Sequence, residues 1–267
     1  MPDWVILTHM IRILRRDIPE RAGISHLDIS HSGDSFRIAL KRVTGARSYT
    51  LRVRAATRDV VLTMPKRSSV ASAKEFAERH AAWIGARLAR LPHPVPFEPG
   101  SRIPIRGIEH VIVHRPEARG TVWVETLADG WFSHSQALIV AGELPHLHRR
   151  VADFLKREAR KDLESAVRRH CSVLEVAARK VTIRDTTSRW GSCSATGSLN
   201  FSWRLILAPP FVLDYLAAHE VAHLKHMNHS PRFWALATKL APETQRAEAW
   251  LQANGTNLHR FGACAED

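Results

Sequence analysis

The sequence predicts an α+β fold in which the first half is rich in strands and the second half is mostly helical. In the first half, Phe36, Ile38 and Leu40 alternate with polar positions, which is the two-residue period of a half-buried strand. After about residue 144, apolar residues recur at intervals of three and four with Lys, Arg and Glu between them, which is typical of amphipathic helices. We therefore expect a β-rich lobe followed by a helical lobe.

The first half is expected to contain a β-meander, one helix and a second group of strands. The meander covers residues 35–64, and the helix covers residues 70–91, ending before Pro92. Residues 91–100 include four prolines, so we expect an extended connector there. Short strands that make this half rich in antiparallel sheet are expected at residues 108–113, 121–125 and 137–140.

The second half is expected to contain two strands among its helices. The strands, at residues 181–185 and 199–206, flank a turn rich in Gly and Ser. Pro210 opens a helix that runs to about His226, and Ser230 and Pro231 suit the N-cap and first position of another helix. The expected boundaries are an N-terminal extension at residues 1–33, a β-rich lobe with one helix at 34–143, and a helical lobe at 144–267.

Composition excludes a membrane-spanning protein and indicates a reducing compartment. The chain is 45% hydrophobic and 24% charged, and no stretch approaches the roughly 20 apolar residues of a membrane helix. Three cysteines without a C-x-x-C spacing do not form a disulfide framework. We therefore expect a cytoplasmic protein without a membrane partner.

The net charge of +13 has two interpretations. Between Arg37 and Arg67 there are nine Lys or Arg residues and one acid, Asp59, so this region would attract nucleic acid or other anions. Some of these residues alternate with apolar ones, however, as they do on the solvent-facing side of any half-buried sheet. The charge alone does not decide between a nucleic-acid-binding face and an ordinary solvated one.

A metal-binding pattern lies in the last third of the chain. Residues 219–223 read His-Glu-Val-Ala-His within an apolar stretch of helical period. Residues four apart on a helix lie one turn above each other, so His219 and His223 are expected to hold one Zn²⁺ between them. Glu220 lies about 100° further around the helix axis, where it is expected to act as the general base and not as a ligand.

A catalytic zinc ion takes three protein ligands, so a third residue is needed. His226 would stay on the same helical face, but one turn too far along to converge with the other two. His229 follows Met227 and Asn228, where the helix has room to turn back, and it gives the first-to-third spacing of the metzincin pattern. We favour His229 as the third ligand of one zinc ion per chain, with His226 as the alternative.

Three stretches of the sequence resemble the bacterial YgjP-like metallopeptidases, which are relatives of the SprT-like zinc proteases. They are residues 188–194 (SRWGSCS), 199–209 (LNFSWRLILAP) and 215–234 (YLAAHEVAHLKHMNHSPRFW), with weaker similarity over residues 51–91. The resemblance implies a gluzincin-like minimal protease fold for the catalytic lobe and a cytoplasmic location. It also implies one zinc ion held by His219, His223 and His229, with Glu220 as the catalytic residue.

The predicted function is hydrolysis of peptide bonds by a zinc-activated water, with Glu220 as general base and a peptide or protein as substrate. Arg189, Trp190 and Asn200 are candidate cleft residues, because strands beside a zincin helix commonly offer an edge to an extended substrate. The alternative for Trp190 is packing in the core next to a tight turn at Gly191. The alternative function is that of a SprT-like, nucleic-acid-associated protein that docks DNA or RNA through its basic face.

Overall fold

The computed structural model of the chain describes residues 25–54, 57–129 and 133–262. Within these residues, eleven strands in three sheets are combined with six α-helices, so the predicted mixed α and β character is confirmed. The chain separates into two units, Met1–Pro92 and His93–Asp267. This division differs from the predicted boundary after residue 143, because the strands of residues 102–140 share one hydrophobic core with the helices that follow them.

The described residues of the first unit form a four-stranded sheet whose buried face packs on two helices. The strands lie in the order β1-β2-β4-β3, and β2 and β4 are parallel neighbours, so the predicted meander is wrong. An alternating pattern identifies a strand but is the same for parallel and antiparallel neighbours, so it does not reveal strand order. The elements are β1 (Ser25–His31), β2 (Asp34–Val43), β3 (Thr50–Val53), β4 (Val60–Pro65), α1 (Val70–Arg79) and α2 (Ala81–Ala89).

Strand β1 falls inside the stretch that the sequence predicted as an extension, residues 1–33. It pairs antiparallel with β2, and its apolar residues Leu27 and Ile29 are buried in the core of the first unit. Residues 25–31 are therefore part of the sheet, while residues 1–24 lie outside the described residues.

The single helix predicted over residues 70–91 is divided at His80 into α1 and α2. Nδ1 of His80 lies 2.8 Å from the carbonyl oxygen of Phe76, and the backbone N–H of His80 bonds instead to Ala77. The side chain thus takes the acceptor that a continuous helix would offer to the backbone N–H of residue 80. Because the His80 side chain, and not its backbone N–H, bonds to the Phe76 carbonyl, the helix is interrupted between α1 and α2.

The second unit contains two sheets and four α-helices among its described residues. In its first sheet the order is β5-β6-β8-β7, with β6 and β8 parallel, and three of these strands stand where the sequence predicted them. In its second sheet the order is β10-β11-β9. The elements are β5 (Arg102–Ile105), β6 (Ile108–His114), β7 (Val122–Asp129), β8 (Ser133–Val140), α3 (Leu147–Leu174), β9 (Lys180–Arg184), β10 (Gly191–Cys193), β11 (Ser198–Ser202), α4 (Pro210–Ala222), α5 (Pro231–Leu240) and α6 (Thr244–Leu258).

Helix α4 runs through the interior of the second unit. Its apolar residues are buried on several sides, against α3, α5, α6 and β10, so it lacks the single apolar stripe of a surface helix. It ends at Ala222, earlier than the predicted end near His226. The chain then turns back to Ser230, whose hydroxyl accepts a bond from the backbone N–H of Phe233 and caps α5, as the sequence predicted.

None of the helices in the described part of the chain combines the length and the apolar character needed to cross a membrane.

Candidate metal centre

Three histidines converge at the carboxyl end of α4. His219 lies in the last turn of the helix, His223 is its C-cap, and His229 lies in the connection to α5. One nitrogen of each lies within 4.8 Å of the others, and the Nε2 atoms of His219 and His229 are 3.1 Å apart. Two nitrogens that share a tetrahedral zinc ion at 2.0–2.1 Å are about 3.4 Å from each other, so the cluster has the dimensions for one ion.

The structure brings His229, and not His226, to the two histidines of α4. His226 contributes its backbone instead, since its carbonyl oxygen lies 3.0 Å from Nδ1 of His223. That carbonyl holds the ring proton of His223 on Nδ1, which leaves Nε2 with a free lone pair for a metal ion.

Burial favours the uncharged form of two of the three histidines, His219 and His223. Burial lowers the pKa of His219 to about 4, and the neighbouring His223 and His229 add to the decrease. The pKa of His223 is also lowered, chiefly by burial. Neutral imidazole is the form that binds metal ions, so at neutral pH these two rings are already in their ligand form.

The carboxyl of Glu220, the residue that follows His219 on α4, is buried. Glu220 is only 4% exposed, and its Oε2 has no hydrogen-bond partner among the described residues. Burial raises the pKa of Glu220 to about 7, while the positive charge of Arg189 acts in the opposite direction. An unpartnered buried carboxyl costs stability. Its position therefore suits a group whose partner is a water molecule or a cation at the cluster.

Gly191 provides the space that the Glu220 carboxylate occupies. A Cβ atom at position 191 would lie 2.5 Å from Oε1 and 2.8 Å from Cγ of Glu220, closer than Cβ atoms approach other atoms in proteins. Sequence reasoning identified Gly191 only as the residue of a tight turn. Its relation to Glu220 emerges when β10 is seen next to α4.

Tyr215 and Glu248 form a hydrogen-bonded pair next to Nδ1 of His219. Tyr215 is one turn earlier on α4 and is 6% exposed; its hydroxyl donates to Oε1 of Glu248 at 2.9 Å. The same hydroxyl oxygen is 3.5 Å from Nδ1 of His219. The sequence contained no signal for Glu248, because it lies on α6 and reaches α4 only through the packing of the two helices.

Helix α5 places two aromatic rings next to the cluster. Phe233 is fully buried, and its ring centroid is 4.4 Å from that of His223 and 4.9 Å from that of His219. Trp234 is 36% exposed, with its ring 5.6 Å from that of His229. The histidines therefore rest on an apolar surface, of which Trp234 is the part in contact with solvent.

Strand β10 is an edge strand, because within the described residues only β11 pairs with it. The carbonyl of Trp190 and the N–H of Ser194 bond to β11. Backbone groups of alternate residues in an antiparallel pair point the same way, so those of Gly191 and Cys193 face the open side. Two backbone donors and two backbone acceptors are thus presented next to Glu220.

The three predicted cleft residues lie around this edge in different ways. Arg189 is exposed, and its charge acts on Glu220. Trp190 is half-buried against the core and stacks on His259 with ring centroids 5.0 Å apart, as the packing alternative predicted. Asn200, on β11, accepts a bond from Nε of Arg184 at 3.1 Å.

Helix α4 carries two histidines four residues apart and a buried glutamate, and a third histidine folds back onto the first two. This arrangement defines a class, the metal-dependent hydrolases of the His-Glu-x-x-His type. The comparison with protein families agrees with this class. The chain belongs to the YgjP-like metallopeptidase-domain family, whose sequence model matches residues 47–254.

Among solved structures, the metallopeptidase zymogen of Pyrococcus abyssi abylysin is 24% identical, with a TM-score of 0.32, over 37% of this chain and 97% of that one. The comparison with curated proteins gives no match.

Proposed function

We propose that this chain is a zinc-dependent metallopeptidase in which His219, His223 and His229 hold one Zn²⁺ and Glu220 is the general base. The observation that carries the proposal is the convergence of the three imidazoles within 4.8 Å, together with the buried carboxyl of Glu220, whose Oε2 has no hydrogen-bond partner among the described residues. A set of three neutral nitrogen ligands is typical of catalytic zinc sites, which keep one coordination position for water or substrate. In this proposal the second unit contains the gluzincin-like catalytic core.

In the proposed reaction Glu220 transfers protons while the metal ion activates the water and the substrate. When bound, Zn²⁺ supplies Lewis acidity, which lowers the pKa of water and polarises the scissile carbonyl. Glu220 accepts a proton from the attacking water and transfers it to the nitrogen of the leaving amine. A pKa raised by burial suits both steps, because the carboxyl must first accept and then release a proton near neutral pH.

The proposed substrate is a peptide or protein segment bound in extended form along β10. The backbone groups of Gly191 and Cys193 on the open side of this strand would pair with it as a neighbouring strand does. Arg189 would line the same cleft, whereas Trp190 and Asn200 would support the strand from the protein side. The sparse cysteines, of which Cys171 and Cys193 are unpaired, favour a cytoplasmic location in this proposal.

The test combines metal analysis with hydrolysis of a mixture of quenched fluorescent peptides. The parent protein should contain one zinc ion per chain. Glu220→Gln should retain the ion and lose at least about 100-fold in rate, since general-base catalysis typically contributes that much. A Gln variant as fast as the parent, or a parent without stoichiometric metal, would contradict the proposal.

The third ligand is tested by a matched pair of variants. His229→Ala should lose tightly bound zinc, because two imidazoles remain. His226→Ala should retain it, because the contact of residue 226 with His223 is made by the backbone carbonyl, which alanine keeps. The opposite pattern would assign the third ligand to His226.

Docking of DNA or RNA remains a separate prediction, based on the basic composition of the first unit. Some of these charges are already engaged there: Arg42 and Arg58 donate to backbone carbonyls, and Arg54 is 3.9 Å from Asp59. The measurement is binding of the full chain to duplex and single-stranded DNA and to RNA at several salt concentrations. A phosphate-dependent contact would weaken steeply with salt, and undetectable binding at low salt would remove this function.

A further inference from the structure

We infer that Tyr215 and Glu248 are positioning residues for His219: Glu248 orients the Tyr215 hydroxyl, and that hydroxyl holds the His219 ring with Nε2 toward the metal. The inference rests on the proposed function, because it concerns how one of the proposed zinc ligands is held. It adds two residues, on two different helices, to those that determine metal affinity.

The first step concerns the proton of His219. A neutral imidazole that binds a metal ion through Nε2 carries its hydrogen on Nδ1, and this N–H needs an acceptor when it is buried. His223 has such an acceptor in the backbone carbonyl of His226, at 3.0 Å. For His219, the hydrogen-bond contact of Nδ1 among the described residues is the hydroxyl oxygen of Tyr215, at 3.5 Å.

The second step concerns the direction of the hydroxyl. A tyrosine hydroxyl has one hydrogen and can either donate it or turn it toward another acceptor. The bond to Oε1 of Glu248, at 2.9 Å, commits that hydrogen to the carboxylate. The oxygen lone pairs of Tyr215 are then available to accept the Nδ1–H of His219. Since the bond to a carboxylate also increases the electron density on the hydroxyl oxygen, Glu248 strengthens this acceptor.

The third step concerns rigidity. Tyr215 is four residues before His219, so both side chains lie on the same face of α4. Tyr215 is almost fully buried, and Glu248 is half-buried on α6, which packs against α4. The His219 ring is thus held by a hydrogen-bonded pair of side chains, one of which lies on a second helix. The His223 ring is held by a backbone carbonyl of the segment that follows it. The two proposed ligands therefore differ in that only His219 depends on side chains for its orientation.

The experiment measures zinc affinity in the full chain by competition with a chromophoric chelator of known affinity. The variants are Tyr215→Phe, which removes only the hydroxyl, Glu248→Gln, and the double variant. Glu243→Gln, an exposed position at the start of the same helix, is the control. Tyr215→Phe should weaken zinc binding about 10-fold or more, the usual effect of losing such an outer partner. The double variant should be no weaker than Tyr215→Phe, because Glu248 acts through the hydroxyl.

A purely structural role for Tyr215 is tested with Co²⁺ in place of zinc. The visible absorption bands of the Co²⁺ protein should shift in Tyr215→Phe and Glu248→Gln but not in Glu243→Gln, because only the first two change a ligand's surroundings. Metal-free melting temperatures control for loss of folding. Unchanged affinity and unchanged bands in Tyr215→Phe would overturn this inference alone, whereas a parent protein that binds no stoichiometric zinc would overturn the proposed function as well.

Discussion

Glu220 and Gly191 depend on each other sterically, because the Glu220 carboxylate fills the space that a Cβ atom at position 191 would need. Glu220 belongs to α4, the most buried helix of the second unit. Gly191, which has no side chain, belongs to β10 at the edge of a sheet. Oε2 of this buried carboxyl has no hydrogen-bond partner among the described residues, so the shape of its neighbours is what holds the group in place. The position of the carboxyl is therefore sensitive to one methyl group.

We predict that Gly191→Ala lowers the rate of peptide hydrolysis about 100-fold or more while zinc remains bound. The added Cβ would lie 2.5 Å from Oε1, so the carboxylate must move by about 1 Å, a displacement that typically costs this factor. Gly45→Ala is the control, since a Cβ at position 45 meets no atom within 4 Å. Rates and zinc content of both variants are compared with the parent, and a fully active Gly191→Ala would show that Glu220 does not need this space.

The proposed metal residues could be identified from the sequence, whereas the residues that support them could not. His219, Glu220 and His223 share one helix, so a fixed spacing of 3.6 residues per turn relates them without knowledge of the fold. Gly191 and Glu248 act on these residues from other elements. Their contribution depends on how β10 and α6 pack against α4, which no local pattern encodes.

At the scale of elements, the connection from α4 to α5 decides where His229 lies. This connection begins where α4 ends at Ala222 and finishes at Ser230, the N-cap that immediately follows His229. The cap fixes the backbone at the start of α5, and Phe233 on that helix packs against His223 and His219. The position of His229, the proposed third ligand, is thus linked to the stability of the first turn of α5.

We predict that Ser230→Ala lowers the free energy of unfolding by about 1 kcal/mol, the usual effect of losing an N-cap oxygen. The Ser230 hydroxyl accepts a bond from the N–H of Phe233 at 3.4 Å, and alanine leaves this N–H without its partner. Ser230→Thr retains a hydroxyl and should stay within about 0.5 kcal/mol of the parent. Denaturant unfolding of the metal-free proteins measures both values. Equal losses in the two variants would mean that the cap hydrogen bond is not the cause.

Strand and helix positions were predicted better than their connections. The alternation of apolar residues located β2 and β4, but not their parallel pairing, because alternation describes one strand and not its neighbour. The proline-free run from residue 70 to 91 read as one helix, although His80 interrupts it through a side-chain bond to Phe76. In both cases the missing information is a contact between groups, which a periodicity does not contain.

For the second unit as a whole, Arg204 joins segments that are far apart in the sequence. Its side chain is 9% exposed and donates to Asp185 at 2.9 Å, and to the carbonyls of Leu258 and Phe261 at 3.1 and 2.7 Å. The end of α6 is thereby tied to the strands that precede α4. Since α6 also carries Glu248, this link helps to hold the helix that contacts Tyr215.

We predict that the link gives the unit a component of stability that disappears in acid. Burial by itself would raise the pKa of Asp185, but the hydrogen bonds and charge of Arg204 outweigh burial and hold this pKa below its ordinary value. A lowered pKa in the folded state stabilises the protein above the ordinary pKa of about 4, and the contribution is lost as the pH falls through the folded-state value. In unfolding measurements from pH 7 to 3, the difference between the parent and Asp185→Asn should therefore shrink. The part that varies with pH should be about 1 kcal/mol or less, because Asp185 is 48% exposed and solvent screens the pair. Asp153→Asn, at an exposed position on α3, is the matched control for the loss of one carboxylate. A difference between the parent and Asp185→Asn that stays constant over this range would mean that the ionised carboxylate does not stabilise the fold.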